Sequence, residues 1–303
     1  MNFNQVMVMG AGAVGGYFGA RIAEHSNAEV SFIARGAHRR AIQERGLQIN
    51  SPDGDSTVRL KVFDDAAKAP APDLILFTVK SYDTEEALQA IKSVVGEQTQ
   101  VLTIQNGIEN YSKLKKAFGA GHVIQGFCRI GASITEPGVI EHNSMGSVVV
   151  GEQDGTHTER MKALKALFEK APVRFSVSDD ITHQVWVKFS WNCIFNMVTA
   201  VAQVTVDKLF EEQESEQLCY DLFEEIKLVA AEEGVPLLER DKEKVIEDSR
   251  GLEGFTTSTY NDRQKGKKLE FEAFTGALLR LARIHEVGIP KNQTLYAFLK
   301  LVN

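Results

Sequence analysis

Short apolar runs alternate with amphipathic segments over the first 130 or so residues of the chain. Val6–Met9, Glu29–Ala34, Leu74–Val79, Val101–Ile104 and Val123–Phe127 are too short for helices and rich in β-forming residues, so they predict strands. The segments separating them carry helical periodicity. Val14, Phe18 and Ile22 recur at every fourth position and give the first helix one apolar face. Strands separated by helices predict a parallel sheet with crossover connections. After Gly131 the texture changes: Thr135-Glu136-Pro137-Gly138 has turn chemistry, and Val139–Glu141 and Ser147–Val150 predict an antiparallel extension of the sheet. A helix near Glu159–Lys170 and a strand at Val173–Val177 complete this half.

From Asp179 onward the strand pattern stops. Asp179 or Asp180 is the expected N-cap of a long helix running to about Gln203. Further helices are predicted at Glu214–Glu233, Arg240–Glu247, Thr256–Gln264, Glu270–His285 and Gln293–Leu301, with Gly234 and Gly288-Ile289-Pro290 as stops. The pattern places a domain boundary near residue 178, with an α/β domain over 1–178 and an all-α C-terminal domain over 179–303.

Composition narrows the function classes. The 303 residues are 43% hydrophobic and 25% charged, a globular balance rather than a disordered one. A net charge of −7 argues against the broad basic face that a nucleic-acid partner requires. Cys128, Cys193 and Cys219 are widely spaced and form no metal or disulfide pattern. The first apolar run is cut by Gly10 before it reaches signal-peptide length. The longer apolar stretch Val185–Ala202 carries Lys188, Asn192 and Asn196, so it is read as a buried helix and not a membrane span. These features predict a cytoplasmic protein with a small-molecule partner and no membrane or nucleic-acid partner. A homodimer is left open.

The first strand runs into Gly10-Ala11-Gly12-Ala13-Val14-Gly15, and the first helix follows at once. In that setting the GxGxxG spacing has a mechanical meaning. Gly10 permits a tight turn, Gly12 lets the backbone approach a pyrophosphate, and Gly15 lets the helix pack on the sheet. The N-terminal domain is therefore expected to be a Rossmann-type dinucleotide-binding domain. At the end of the second strand, where NAD sites place an acid, the sequence has Arg35, with His38, Arg39 and Arg40 behind it. A planar cation there suits a 2′-phosphate, so NADP (NADPH) is the expected cofactor. Lys80 and Asn106 follow two further strands, and strand carboxyl ends are where such sheets bind ligands.

Lys188, Asn192 and Asn196 form a polar row on the long apolar helix. On a uniform α-helix they fall within an arc of about 80° and span roughly 12 Å. Unpaired polar groups on a buried helix cost on the order of 1–3 kcal/mol each, so the row calls for a polar partner. Backbone carbonyls or acids of neighbouring helices are one such partner and a substrate is the other. Burial would lower the lysine pKa and make it a better proton donor to a reduced carbonyl. Ser258 and Glu270 lie on later predicted helices, and Glu270 is equally readable as an acid at a helix N-terminus.

GAGAVGGYFGARI (10–22), FIARG (32–36), TVKSYDTEEAL (78–88), QNGIEN (105–110), GVIEHNSMGSVVVG (138–151), VKFSWNCIFN (187–196) and KKLEFEAFTGALLRLARIHEVGIPKN (267–292) occur in this order. Together they resemble the ketopantoate reductase (2-dehydropantoate 2-reductase) family over essentially the whole chain. The resemblance implies an oxidoreductase that uses NADPH to reduce 2-dehydropantoate to (R)-pantoate, a step of pantothenate biosynthesis. It implies a cofactor turn at residues 10–15, a 2′-phosphate arginine at Arg35 and a proton-donating lysine at Lys188. Lys80 is implied at the cofactor, and Asn106 and Glu270 beside both cofactor and substrate. Asn192, Asn196 and Ser258 are implied at the substrate, with the amides and serine on its carboxylate side and the acid on its hydroxyl. The chain departs from the family pattern at Leu269, where Thr is common, and at Phe274-Thr275-Gly276, where Asn-Gly is frequent. Two alternatives remain beside this reading: a sister reductase of another branched 2-oxo acid, and a non-catalytic NADPH sensor.

Overall fold

The computed structural model describes residues 1–303. The chain folds into two compact units, one comprising Met1–Asn106 and Asn110–Ile181, the other Gly107–Glu109 and Thr182–Asn303.

The first unit is built on a ten-stranded sheet. Its strands are β1 (Gln5–Met9), β2 (Glu29–Ile33), β3 (Leu47–Asn50), β4 (Ser56–Val58), β5 (Lys61–Phe63), β6 (Leu74–Phe77), β7 (Gln100–Thr103), β8 (Val123–Glu136), β9 (Val139–Gly151) and β10 (Arg174–Val177). The order β5-β2-β1-β6-β7-β8 is parallel throughout, the arrangement of dinucleotide-binding sheets. Alternate residues of the central strands feed two separate cores. Val6, Val8, Leu74 and Leu76 pack with Phe18 and Ile22 of the helix Ala13–His25. Met7, Met9, Ile75 and Phe77 pack with Leu88, Ile91 and Leu114 on the opposite face. A strand buried on both faces needs a continuous apolar run, which Val6–Met9 and Leu74–Phe77 supply.

The outer strands depart from the sequence expectation. β8 runs to Glu136, and the two runs expected at Val139–Glu141 and Ser147–Val150 form the single strand β9. The β8–β9 pairing is antiparallel, as the turn chemistry predicted, with register shifts between Arg129/Ile130, Gly131/Ala132 and Ile134/Glu136. β9 pairs with β3 through its first residues and with β10 through Ser147–Val150. β3, β4 and β5 were not anticipated.

The second unit is helical around one apolar core that includes Trp186, Phe189, Phe195, Phe223 and Phe274. The apolar stretch Val185–Ala202 lies in this core. No helix is long and apolar enough to cross a membrane. The predicted long helix is present but not uniform: α-helix at Ile181–Trp191, π-helix at Asn192–Asn196, α-helix again at Met197–Ala202. It ends at Gln203, whose φ of 58° is left-handed. Arg263 Nη1 donates to the carbonyl of Val201 at 2.9 Å, placing a cation on the exposed carbonyls of the helix end. The helix predicted at Glu270–His285 also divides. Phe271–Ala273 is a 3-10 turn, Phe274 (φ −111°, ψ −101°) breaks the path, and the α-helix spans Thr275–Ile284.

Candidate active site

In the first unit the turn after β1 is shaped by the absence of side chains. Gly10 has φ +102°, and a Cβ there would lie 2.8 Å from the Val79 nitrogen. A Cβ on Gly15 would meet the Gly10 carbonyl and Thr78 Oγ1, each at 2.2 Å. Thr78 Oγ1 donates to the Gly10 carbonyl at 2.9 Å, so the residue just after β6 braces the turn. Gly12 differs: nothing lies within 4 Å of its Cβ position. It is the N-cap of the helix Ala13–His25 and carries no side-chain cap. Free N–H groups at a helix start, with open space beside Gly12, fit the pyrophosphate of a dinucleotide. Ala11, Ala13 and Val14 contribute only small or apolar side chains to this turn.

Arg35 follows the residue after β2 and is the N-cap of the helix Gly36–Arg45. Its Nη1 pairs with Glu86 Oε1 at 2.5 Å, and both side chains are exposed. Glu86 lies in the first turn of the helix Thr84–Ile91. Lys80 is exposed and caps the 3-10 turn Ser81–Asp83. Asn106 is half-buried, and its carbonyl accepts from Asn110 Nδ2 at 2.7 Å. Gln105 ties these strand ends together: its Nε2 donates to the Val79 carbonyl at 2.8 Å and to Thr84 Oγ1 at 3.0 Å. Gln105, Thr78 and Glu86 were not singled out from sequence. All three sit inside family-like motifs, but the pairing of Glu86 with Arg35 has no local signature.

In the second unit Lys188 is half-buried in the last turn of Ile181–Trp191. Asn192 and Asn196 are both buried and bound the π-helical segment. Such a widened turn often marks functional positions, and it replaces the uniform α geometry assumed for the row. The structure brings two of the expected residues together, since Asn196 Nδ2 donates to Ser258 Oγ at 3.3 Å. Asn196 Oδ1 is buried with no hydrogen-bond partner. Ser258 is held by its neighbour: Thr257 caps the helix Ser258–Gln264 by accepting from Tyr260 N at 3.1 Å. Thr257 Oγ1 also lies 2.9 Å from Thr199 Oγ1. Glu270 is buried, but it precedes the 3-10 turn rather than opening the α-helix, so the macrodipole explanation for this acid does not hold.

The geometry has counterparts among known proteins. A model described as ketopantoate reductase PanE/ApbA matches residues 6–155, and its C-terminal companion matches 180–303. The chain belongs to the ketopantoate reductase family. A 2-dehydropantoate 2-reductase of Halobacterium salinarum is 30% identical, with 98% of each chain covered. The crystal structure of a PanE/ApbA family ketopantoate reductase from Ralstonia eutropha superposes with a TM-score of 0.91 at 30% identity, covering 98% of both chains. D-mandelate dehydrogenase, solved with NADH and anilino(oxo)acetate, reaches a TM-score of 0.88 over 98% of each chain at 24% identity. At that distance the likeness extends to the fold alone.

Proposed function

We propose that this chain reduces 2-dehydropantoate to (R)-pantoate with NADPH. The turn at Gly10–Gly15 binds the pyrophosphate on open N–H groups. Arg35 pairs with the 2′-phosphate, while Lys80 and Asn106 line the cofactor from the ends of β6 and β7. A reduced nicotinamide held there would supply the hydride that the C2 carbonyl carbon takes up. Lys188 holds a proton at Nζ and gives it to the carbonyl oxygen as negative charge develops there. Asn192 and Glu270 orient the substrate.

The observation that carries the substrate assignment is the unpartnered, buried Oδ1 of Asn196. Asn196 Nδ2 commits one of its two N–H groups to Ser258, so the amide atom left without any partner is the acceptor Oδ1. An acceptor calls for a donor, and the hydroxyl of 2-dehydropantoate is one. The carboxylate then falls to donors, among them the Ser258 hydroxyl, whose oxygen already accepts from Asn196. This assignment reverses the role that the family resemblance gives Asn196.

The test compares 2-dehydropantoate with 3,3-dimethyl-2-oxobutanoate, which lacks only the hydroxyl. A site built to bond a hydroxyl discriminates strongly against its absence, so kcat/KM should fall by about 100-fold or more. Equal turnover of the two acids would instead support a reductase of simple branched 2-oxo acids.

A further inference from the structure

Dinucleotide sites commonly read the adenosine ribose in one of two ways. An acid beside the second strand accepts from the 2′-hydroxyl, or an arginine there pairs with a 2′-phosphate. This chain places both kinds of group at that position. Arg35 comes from the segment after β2, and Glu86 reaches it from the helix Thr84–Ile91, with Nη1 and Oε1 2.5 Å apart. Both side chains are 63% exposed, so the pair is easily exchanged for other partners. Arg39, the next cation along, is already held by Asp64 at 3.1 Å.

We propose that Arg35 and Glu86 form one reading head at the ribose 2′ position, with Glu86 limiting the preference for a 2′-phosphate. The inference rests on the dinucleotide-binding reading of the Gly10–Gly15 turn. With a 2′-phosphate present, Arg35 leaves Glu86 for the phosphate, and the carboxylate stays nearby as a repelling charge. With a 2′-hydroxyl, the Arg35–Glu86 pair persists and a carboxylate oxygen accepts a hydrogen bond from the hydroxyl. The chain therefore binds both NADPH and NADH, and the ratio is set by a residue outside the second strand. Like-charge repulsion between exposed groups is screened by salt, so the preference for the phosphorylated form should rise with ionic strength as far as Glu86 controls it. The opposing attraction of Arg35 is screened too, which makes substitution the cleaner test.

Titration calorimetry with adenosine 2′,5′-bisphosphate and with 5′-AMP reads the two modes without turnover, and NADPH and NADH titrated by fluorescence quenching repeat the comparison. Glu86→Gln should tighten the 2′-phosphorylated ligands about three- to tenfold and weaken the 2′-hydroxyl ligands about two- to fivefold, as expected for removing one exposed charge. Arg35→Ala should move the ratio the other way. Circular dichroism should show both variants folded, because both side chains are on the surface. An unchanged ratio in Glu86→Gln, or a shift towards the hydroxyl ligands, overturns the proposal while leaving the cofactor turn intact. Failure of the wild-type protein to bind any of the four ligands overturns both the turn and the reading head.

Discussion

The glycine turn after β1 and the polar row of the helical unit both set polar groups on an apolar foundation, by opposite means. At the turn the polar groups are backbone N–H groups at a helix start, and side chains are kept away. The Cβ positions of Gly10 and Gly15 are filled by Val79, Thr78 and the turn itself, and that of Gly12 is empty. On the row the polar groups are side chains, and the backbone departs from α geometry between two of them. Asn192–Asn196 takes π-helical geometry, and Asn196 leaves a buried oxygen unsatisfied. Backbone recognition needs precise packing and suits an invariant group such as pyrophosphate. A side chain can carry an open acceptor, as Asn196 Oδ1 does, at a cost on the order of 1–3 kcal/mol while it stays unpaired.

The sharpest break of this comparison is at Lys188. A general acid contributes about 100- to 10,000-fold, so Lys188→Ala should lower kcat by that order. NADPH affinity, titrated by fluorescence, should change by no more than about twofold, since the turn is untouched. A variant that loses cofactor affinity in proportion to turnover would show that the lysine serves binding, and the division between the two sites would collapse.

Within the turn, the two glycines should fail in different ways. Gly15→Ala forces a methyl against Gly10 O and Thr78 Oγ1 at 2.2 Å, an overpacking that costs on the order of 1–3 kcal/mol. Its thermal midpoint should fall by several degrees. Gly12→Ala meets no atom, and its φ of −69° suits any residue. Its stability should stay within about 0.5 kcal/mol of wild type, while NADPH affinity falls about tenfold because the methyl takes the space proposed for the ligand. Calorimetry of unfolding and of binding checks both arms. Equal loss of stability in the two variants would mean that Gly12 serves packing after all.

The same contrast governs what could be read from sequence. Gly10–Gly15 is a local pattern with local causes, and the flanking strand and helix are local as well. The polar row was visible because three polar residues interrupt an apolar helix, but the π turn was not. Its i→i+5 bonds leave no residue signature, and its contact with Ser258 comes from 62 residues away. Glu270 was misplaced because Phe271, Phe274, Ala277 and Leu278 keep helical spacing across the break at Phe274. All four are buried, and periodicity reports burial rather than continuity of backbone. β4 and β5 have three residues each, too few for alternation to register, and they exist because β3 and β2 offer them edges. The Arg35–Glu86 pair lay beyond any local reading, because 51 residues separate its partners.

The smallest expected effect separates the two units by acidity. His142 in β9 is 1% exposed. Its Nε2 donates to the Ser144 carbonyl at 3.1 Å, so in the neutral ring Nδ1 accepts from Ser51 Oγ at 2.8 Å. Burial holds its pKa below the usual histidine value, opposed by Asp53 nearby and aided by the charge of Arg21. His38, whose Nδ1 accepts from Gly138 N at 3.0 Å, is shifted the same way by burial. In the unfolded chain both titrate near 6.5, so the unfolded state binds more protons as the pH falls below that value. Stability is then lost from about pH 6.5 downward, until the folded pKa values are passed. The histidines of the helical unit stand against acids instead, His183 at 3.0 Å from Asp241 and His285 at 2.5 Å from Glu233. Hydrogen exchange at pH 7 and pH 5.5, corrected for intrinsic rates, should show protection falling in β9 more than in the helix Gln213–Glu232. His142→Gln should flatten the pH dependence of the β9 amides, even though its protection at pH 7 is lower. A β9 slope unchanged by that substitution would place the acid sensitivity of the sheet elsewhere.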